Sequence, residues 1–172
     1  YGRGFWILDD ISAIQQLNPE VIASDIHVFE PRDEYRFRPT VPPYASDQEP
    51  VAGENPPYGA SIDYWLSASA AEADSVSVIV RDASGNVIRS MKGSANEGIN
   101  RVWWDLRHDS SVKAVLRTPP RYASWFVLGE DGTRDAPGLA PVSLLALPGR
   151  YTVEVVVNEW KHSTSLEVRK DP

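Results

Sequence analysis

Val76-Ser77-Val78-Ile79-Val80-Arg81 runs into Asp82-Ala83-Ser84-Gly85-Asn86 and then Val87-Ile88-Arg89-Ser90-Met91. The valines at 76, 78 and 80 recur every second residue, so they share one face of an extended chain. The Asp-rich segment with Gly85 is a hairpin turn, because Gly reaches positive φ without a Cβ clash. Working outward, Ala60, Ile62, Tyr64 and Leu66 show the same period, as do Val102, Trp104 and Leu106 against Arg101, Trp103 and Asp105. Tyr151, Val153, Val155 and Val157 alternate with polar residues up to a turn at Asn158-Glu159-Trp160-Lys161, after which Thr164, Leu166 and Val168 face inward. The spacing predicts a terminal hairpin.

The length of 172 residues is enough to bury roughly 70% of the unfolded surface in one core. The 14 Pro and 11 Gly break the chain into many short elements, which argues for a mainly β class over a helical bundle. Strands at these intervals, each with one polar face, predict an immunoglobulin-like or fibronectin-III-like antiparallel β-sandwich over residues 58–172. Residues 1–57 form a different region: an N-terminal strand, a short helix and a proline-rich wrap. Phe5-Trp6-Ile7-Leu8 reads as the strand, and Ser12-Ala13-Ile14-Gln15 matches a capping box that opens a helix over residues 13–17, stopped by Asn18-Pro19. Ile26 to Phe29 is a second brief strand. Pro31, Pro39, Pro42, Pro43, Pro50, Pro56 and Pro57 then forbid regular ladders, while Tyr35, Phe37, Tyr44 and Tyr58 supply apolar area for a wrap that lies on the sandwich. Between residues 107 and 148, Ala114-Val115-Leu116 and Trp125-Phe126-Val127-Leu128 are the strand candidates inside a long excursion punctuated by proline.

The net charge of −7, with scattered arginines, excludes a nucleic-acid partner and disfavours an anionic membrane surface. No run reaches the roughly 20 apolar residues of a membrane-spanning helix. Zero cysteine removes disulfides, thiol catalysis and Cys-ligated zinc. His27, His108 and His162 have no metal-ligand spacing, and the acids Asp82, Asp105, Asp109 and Asp131 form no EF-hand-like run, so no metal and no cofactor is expected.

Gly2-Arg3-Gly4-Phe5-Trp6-Ile7-Leu8-Asp9-Asp10-Ile11-Ser12 resembles the segment that closes the β-propeller of BNR-repeat, sortilin-like proteins of the glycosyl-hydrolase type. Gly53-Glu54-Asn55-Pro56-Pro57-Tyr58-Gly59-Ala60, followed by Ile62-Asp63-Tyr64, is similar to the entry into their C-terminal sandwich. Val78 to Asp82 with Gly85 and Ile88-Arg89, then Gly98 to Leu106, is similar to the Ig-like fold of flagellar hook-capping proteins. The resemblance implies a C-terminal accessory domain, extracytoplasmic, whose partner is an upstream propeller of the same polypeptide and whose parent is a sialidase-like hydrolase. The Asp-box is incomplete here, since only Asp131-Gly132-Thr133 matches a fragment of it.

Glycoside cleavage needs two carboxylates flanking the bond, one of raised pKa. Asp9/Asp10, Asp25/Glu30, Glu49/Glu54 and Asp63/Asp105 are the pairs available, and helix capping is the expected role of the first. No catalytic residue is assigned. Trp65, Trp103 and Trp125 stand apart, because strand parity turns the first two away from the core. They either stack on a sugar ring, as in a carbohydrate-binding module, or are covered by the wrap, which is the favoured reading. The strand at residues 4–9, without a neighbouring hairpin partner, is expected to pair with a sheet edge or with a second copy in a homodimer.

Overall fold

The computed structural model describes residues 8, 10–37, 56–72, 75–123, 125–135 and 141–171. Strand accounts for 43% and helix for 9%, so the protein is mainly β. In chain order the described elements are α1 (Ser12–Gln16), α2 (Pro19–Ala23), β1 (Ile26–Val28), β2 (Glu34–Arg36), β3 (Ala60–Leu66), β4 (Val76–Arg81), β5 (Val87–Gly93), β6 (Gly98–Trp104), β7 (Val115–Leu116), β8 (Arg134–Asp135), β9 (Gly149–Val157) and β10 (Trp160–Lys170).

One sheet has the order β1-β3-β6, a second the order β2-β10-β9-β4-β5, and β7-β8 is a small ribbon of its own. The second sheet is mixed, because β2 runs parallel to β10 while its other pairings are antiparallel. The alternation read in the sequence is obeyed: Val76, Val78, Val80, Val153, Val155, Leu166 and Val168 of the larger sheet are buried. They share one cluster with Ala60, Ile62, Tyr64, Leu66 and Trp104 of the smaller. Removing each such side chain from water contributes about 1.5–3 kcal/mol, which makes this cluster the main source of stability. Trp104 is fully buried, meets Tyr151 edge to face at 5.3 Å and donates its indole N–H to the Arg107 carbonyl at 2.8 Å.

Both hairpins form. Asp82 accepts from the Ser84 and Asn86 N–H groups through the same carboxylate oxygen, and Gly85 sits at φ 83°. The β9–β10 turn is tighter than expected, because Trp160 already pairs with Val157 and only Asn158-Glu159 remain between the strands.

Four local expectations are corrected. Ser12 does not cap its helix; the side chain that receives its N–H is Asp10, at 2.9 Å, and Ile11 occupies the cap position without a side-chain bond. Asn18-Pro19 does not end helical structure but opens α2, with the Asn18 side-chain Oδ1 accepting the Val21 N–H at 2.9 Å and Pro19 in the first turn, where its missing donor costs nothing. The proline-rich region holds a strand after all: β2 falls between Pro31 and Pro39, where Glu34, Tyr35 and Arg36 keep their donors and pair with Val168, Arg169 and Lys170. Residues 125–128 are not a strand, and only Val115-Leu116 of the expected pair is.

The rest of the wrap, residues 38–55 with Tyr44, Glu49 and Glu54, lies outside the described residues, as do Asp9 and all of the expected N-terminal strand except Leu8, which is exposed and in no strand.

Candidate functional site

The smaller sheet turns a second face away from the core. On β3 that face carries Ser61, Asp63 and Trp65; on β6 it carries Ile99, Arg101 and Trp103. The antiparallel register sets Ser61 opposite Trp103, Asp63 opposite Arg101 and Trp65 opposite Ile99. Ser61 and Asp63 are nevertheless buried, because residues 10–24 lie across this face as a further layer, with Phe29 packed into it.

A polar knot fastens that layer. Arg101 donates Nε to Asp63 Oδ1 at 2.7 Å and Nη2 to Asp63 Oδ2 at 2.8 Å, the two-pronged geometry that suits a guanidinium. Its Nη2 also reaches the Asp10 carbonyl at 3.2 Å, and Ser61 donates its hydroxyl to Asp10 Oδ2 at 2.7 Å. Burial works to raise the Asp10 pKa, but the hydrogen bonds from Ser12 and Ser61 and the charge of Arg101 outweigh it and hold the group down at about 2. Hydrogen bonding to Asp63 raises the Arg101 pKa further above its ordinary range. Asp10 is therefore an ionised anchor at neutral pH, each of its oxygens accepting a hydrogen bond. It cannot donate a proton at neutral pH.

A hollow opens beside the knot. A small recess of about 150 Å³ is bounded by Asp10, Arg32, Glu34, Gly59 and Trp103. It adjoins a larger one of about 620 Å³ walled by Glu34, Tyr35, Phe37 and Tyr58, with Pro56 and Pro57 common to both. Phe37 and Tyr58 meet edge to face at 4.7 Å. Burial raises the Glu34 pKa against the opposing charge of Arg32, and the nearby Asp10 and Asp33 push the same way as burial. The hollow thus pairs an easily protonated carboxyl with a strongly acidic one, an arrangement found in acid–base sites. The second member, Asp10, is only 9% exposed and is engaged by Ser12, Ser61 and Arg101, so it serves the fold.

The tryptophans do not form one platform. Trp65 packs against the cluster of Ala13, Val21 and Phe29, so among the described residues its cover is the helical layer. Trp103 is half-buried beside Pro56 and Pro57, with the Arg101 guanidinium 5.7 Å from its ring. The register puts these two rings four residues apart along the ladder, a rise of about 13 Å. Trp125 lies on the excursion between β7 and β8 and is 78% exposed.

Of the carboxylate pairs, Asp63 is held by Arg101 while Asp105 faces Arg89 at 3.8 Å and accepts the Arg107 N–H at 3.2 Å, so the two serve different cations. Asp25 accepts from Ser67 and Ser69 at 3.0 and 3.1 Å. His27 has its pKa lowered by burial and by His162, which stacks on Trp160 at 5.6 Å. Sequence reasoning missed Arg101 and Glu34. Arg101 had a readable signal, since its outward parity on β6 matches that of Asp63 on β3; Glu34 had none, because its place is set by pairing with Val168 of β10, far along the chain.

No known family model matches the chain, and comparison with curated proteins and with solved structures finds no similar chain.

Proposed function

We propose that this chain is a non-catalytic accessory domain, joined behind a propeller of the glycosyl-hydrolase type and held against it. The carrying observation is the anchoring of Asp10 to Ser61 and Arg101, because the segment that resembles a propeller-closing strand leads directly into it. A domain joined ahead of residue 10 is then fixed to the outer sheet face and not merely tethered. Exposed Val112, Val142, Leu144 and Leu147 on the 107–148 excursion add apolar surface suited to docking. Extracytoplasmic location and pairing through residues 4–9 belong to the same proposal and rest on the resemblance alone.

The finer fold in this reading is an immunoglobulin-like or fibronectin-III-like sandwich. It is supported by the strand orders β1-β3-β6 and β2-β10-β9-β4-β5, in which successive strands cross between sheets. The Tyr151 hydroxyl donates to the Leu147 carbonyl four residues upstream at 2.6 Å, as in the tyrosine corner of such domains.

The test uses the natural polypeptide that contains this chain. NMR relaxation should show the domain tumbling with whatever precedes it, and Arg101→Ala should loosen that coupling. Independent tumbling of the unaltered protein, or glycoside turnover by the chain alone, would sink the reading. The exposure of Trp125 favours a second reading, carbohydrate binding, at that residue.

A further inference from the structure

Tyr35 on β2 and Phe37 just beyond it both wall the larger recess, together with Tyr58, Pro56 and Pro57. Both rings are 44% exposed, so they offer apolar surface to whatever enters. The volume of about 620 Å³ lies within the range of small-molecule sites, which are mostly apolar with a few convergent polar groups. Those polar groups are present here, and they are short of partners. The Glu34 carboxyl borders both recesses and joins no hydrogen bond or ion pair among the described residues. Arg32 borders the smaller recess with 59% of its side chain exposed, and its only ion pair there is with Asp10 at 3.9 Å, too long for a hydrogen bond. The Tyr58 hydroxyl has no hydrogen-bond partner.

A ligand that fits must bring a flat apolar face and groups that both donate and accept. Glu34 as a carboxylate needs a donor, whereas Arg32 needs an acceptor. An ammonium group only donates, and a carboxylate or sulfate only accepts. Charge of both signs surrounds the smaller recess, Arg32 against Asp10 and Glu34, so neither kind of ion meets a uniform field there. A hydroxyl donates and accepts alike. We propose that the hollow binds an uncharged pyranose, its C–H face lying on Tyr35 and Phe37 and its hydroxyls donating to Glu34 and accepting from Arg32. The inference rests on the carbohydrate-binding reading given above and moves its site from Trp125, on the excursion between β7 and β8, to the hollow.

Affinity electrophoresis of the intact chain tests this with dextran, galactomannan and polygalacturonate cast in separate gels. Dextran or galactomannan should retard the protein, and polygalacturonate should not, because its carboxylates meet Glu34 and Asp10. Tyr35→Ala and Glu34→Ala should each weaken the retardation about tenfold, while Tyr35→Phe keeps the ring and the binding. Retardation that survives both alanine changes and disappears with Trp125→Ala places the sugar at Trp125; it overturns the hollow as the site and leaves carbohydrate binding standing. Retardation by polygalacturonate equal to that by the neutral polymers overturns the uncharged ligand. No retardation by dextran or galactomannan removes the hollow and the Trp125 reading together.

Discussion

Asp63 and Arg101 face each other across β3 and β6 and join through two hydrogen bonds of 2.7 and 2.8 Å on a sheet face that would otherwise be an ordinary solvated surface. Asp63 is 5% exposed, and Arg101 is the cation that faces it. Arg101→Met leaves a buried carboxylate uncompensated and is expected to cost roughly 2–4 kcal/mol, below the upper range for buried pairs because the guanidinium is partly solvated. Arg101→Met combined with Asp63→Asn should cost less than the single change. Urea midpoints of the three proteins check this; equal midpoints for Arg101→Met and the parent would mean the pair contributes nothing.

The pH dependence follows from the two carboxyls of the hollow. Asp10 titrates at about 2 in the folded state against an ordinary 3.8, so the folded state releases its proton more readily than the unfolded one. Its contribution is complete above pH 3.8 and drains away as the pH falls to about 2. Asp10→Asn should flatten the acid limb of stability in that window. Glu34 has the opposite sign: its pKa is raised above 4.5, so its stabilising effect belongs to low pH and is lost as the pH rises through the folded value. Glu34→Gln should therefore increase stability at neutral pH, by under about 1 kcal/mol for a side chain that is only half-buried. Denaturant melts from pH 2 to 7 read both effects, and a loss of neutral-pH stability in Glu34→Gln would contradict the assignment.

The legible and illegible parts of this fold divide by distance along the chain. Val76, Val78 and Val80 announce their strand because period-two burial is a local pattern, and Asp82 with Gly85 announces the turn by local chemistry. Asn18-Pro19 was equally local but ambiguous, since a proline that stops one helix also suits the first turn of the next. β2 was hidden because its ladder partner, β10, is over 130 residues away and supplies the pairing that proline-rich surroundings argue against. Asp63 was legible as a candidate acid but not as an anchor. Its role comes from Arg101, 38 residues away, which also reaches Asp10, and Asp10 meets Ser61 only through a contact spanning 51 residues.

Gly59 marks the entry to β3 at φ 120°, and a Cβ there would sit inside the Trp104 carbonyl. Both the dihedral and the close backbone approach exclude a side chain. Gly59→Ala should cost about 3 kcal/mol or more, in contrast to an alanine at Gly85, which meets nothing and bears only the dihedral penalty. Thermal melts of the two variants should differ clearly, and parity between them would show that β3 and β6 can part at this end without loss.

The aromatics of the wrap separate by exposure. Tyr35 is 44% exposed, so Tyr35→Ala should cost under about 1 kcal/mol, less than its place in a covering wrap suggests. Tyr58, half-buried against Phe37, should cost about 2 kcal/mol when truncated. Chemical denaturation of both settles the order; a larger loss at Tyr35 would reverse it.

The helical layer has a small core of its own: Ala13, Val21 and Phe29 are buried, with Leu17 and Trp65 packed against them. It joins the sheet by that cluster, by the Asp10 knot and by the Phe29 N–H to Asp63 carbonyl bond of 3.0 Å. Its two helices have five residues each, too short to persist unsupported. Phe29 is 1% exposed, so Phe29→Ala removes most of the packing and should cost about 3 kcal/mol in the layer. The valines of β4 and β9 do not touch this cluster and keep theirs. Amide exchange should then rise across residues 12–24 while protection in β4, β9 and β10 stays within a factor of a few of the parent, the pattern of a separate opening unit. Uniform loss of protection across both regions would show instead that the layer and the main core fold as one.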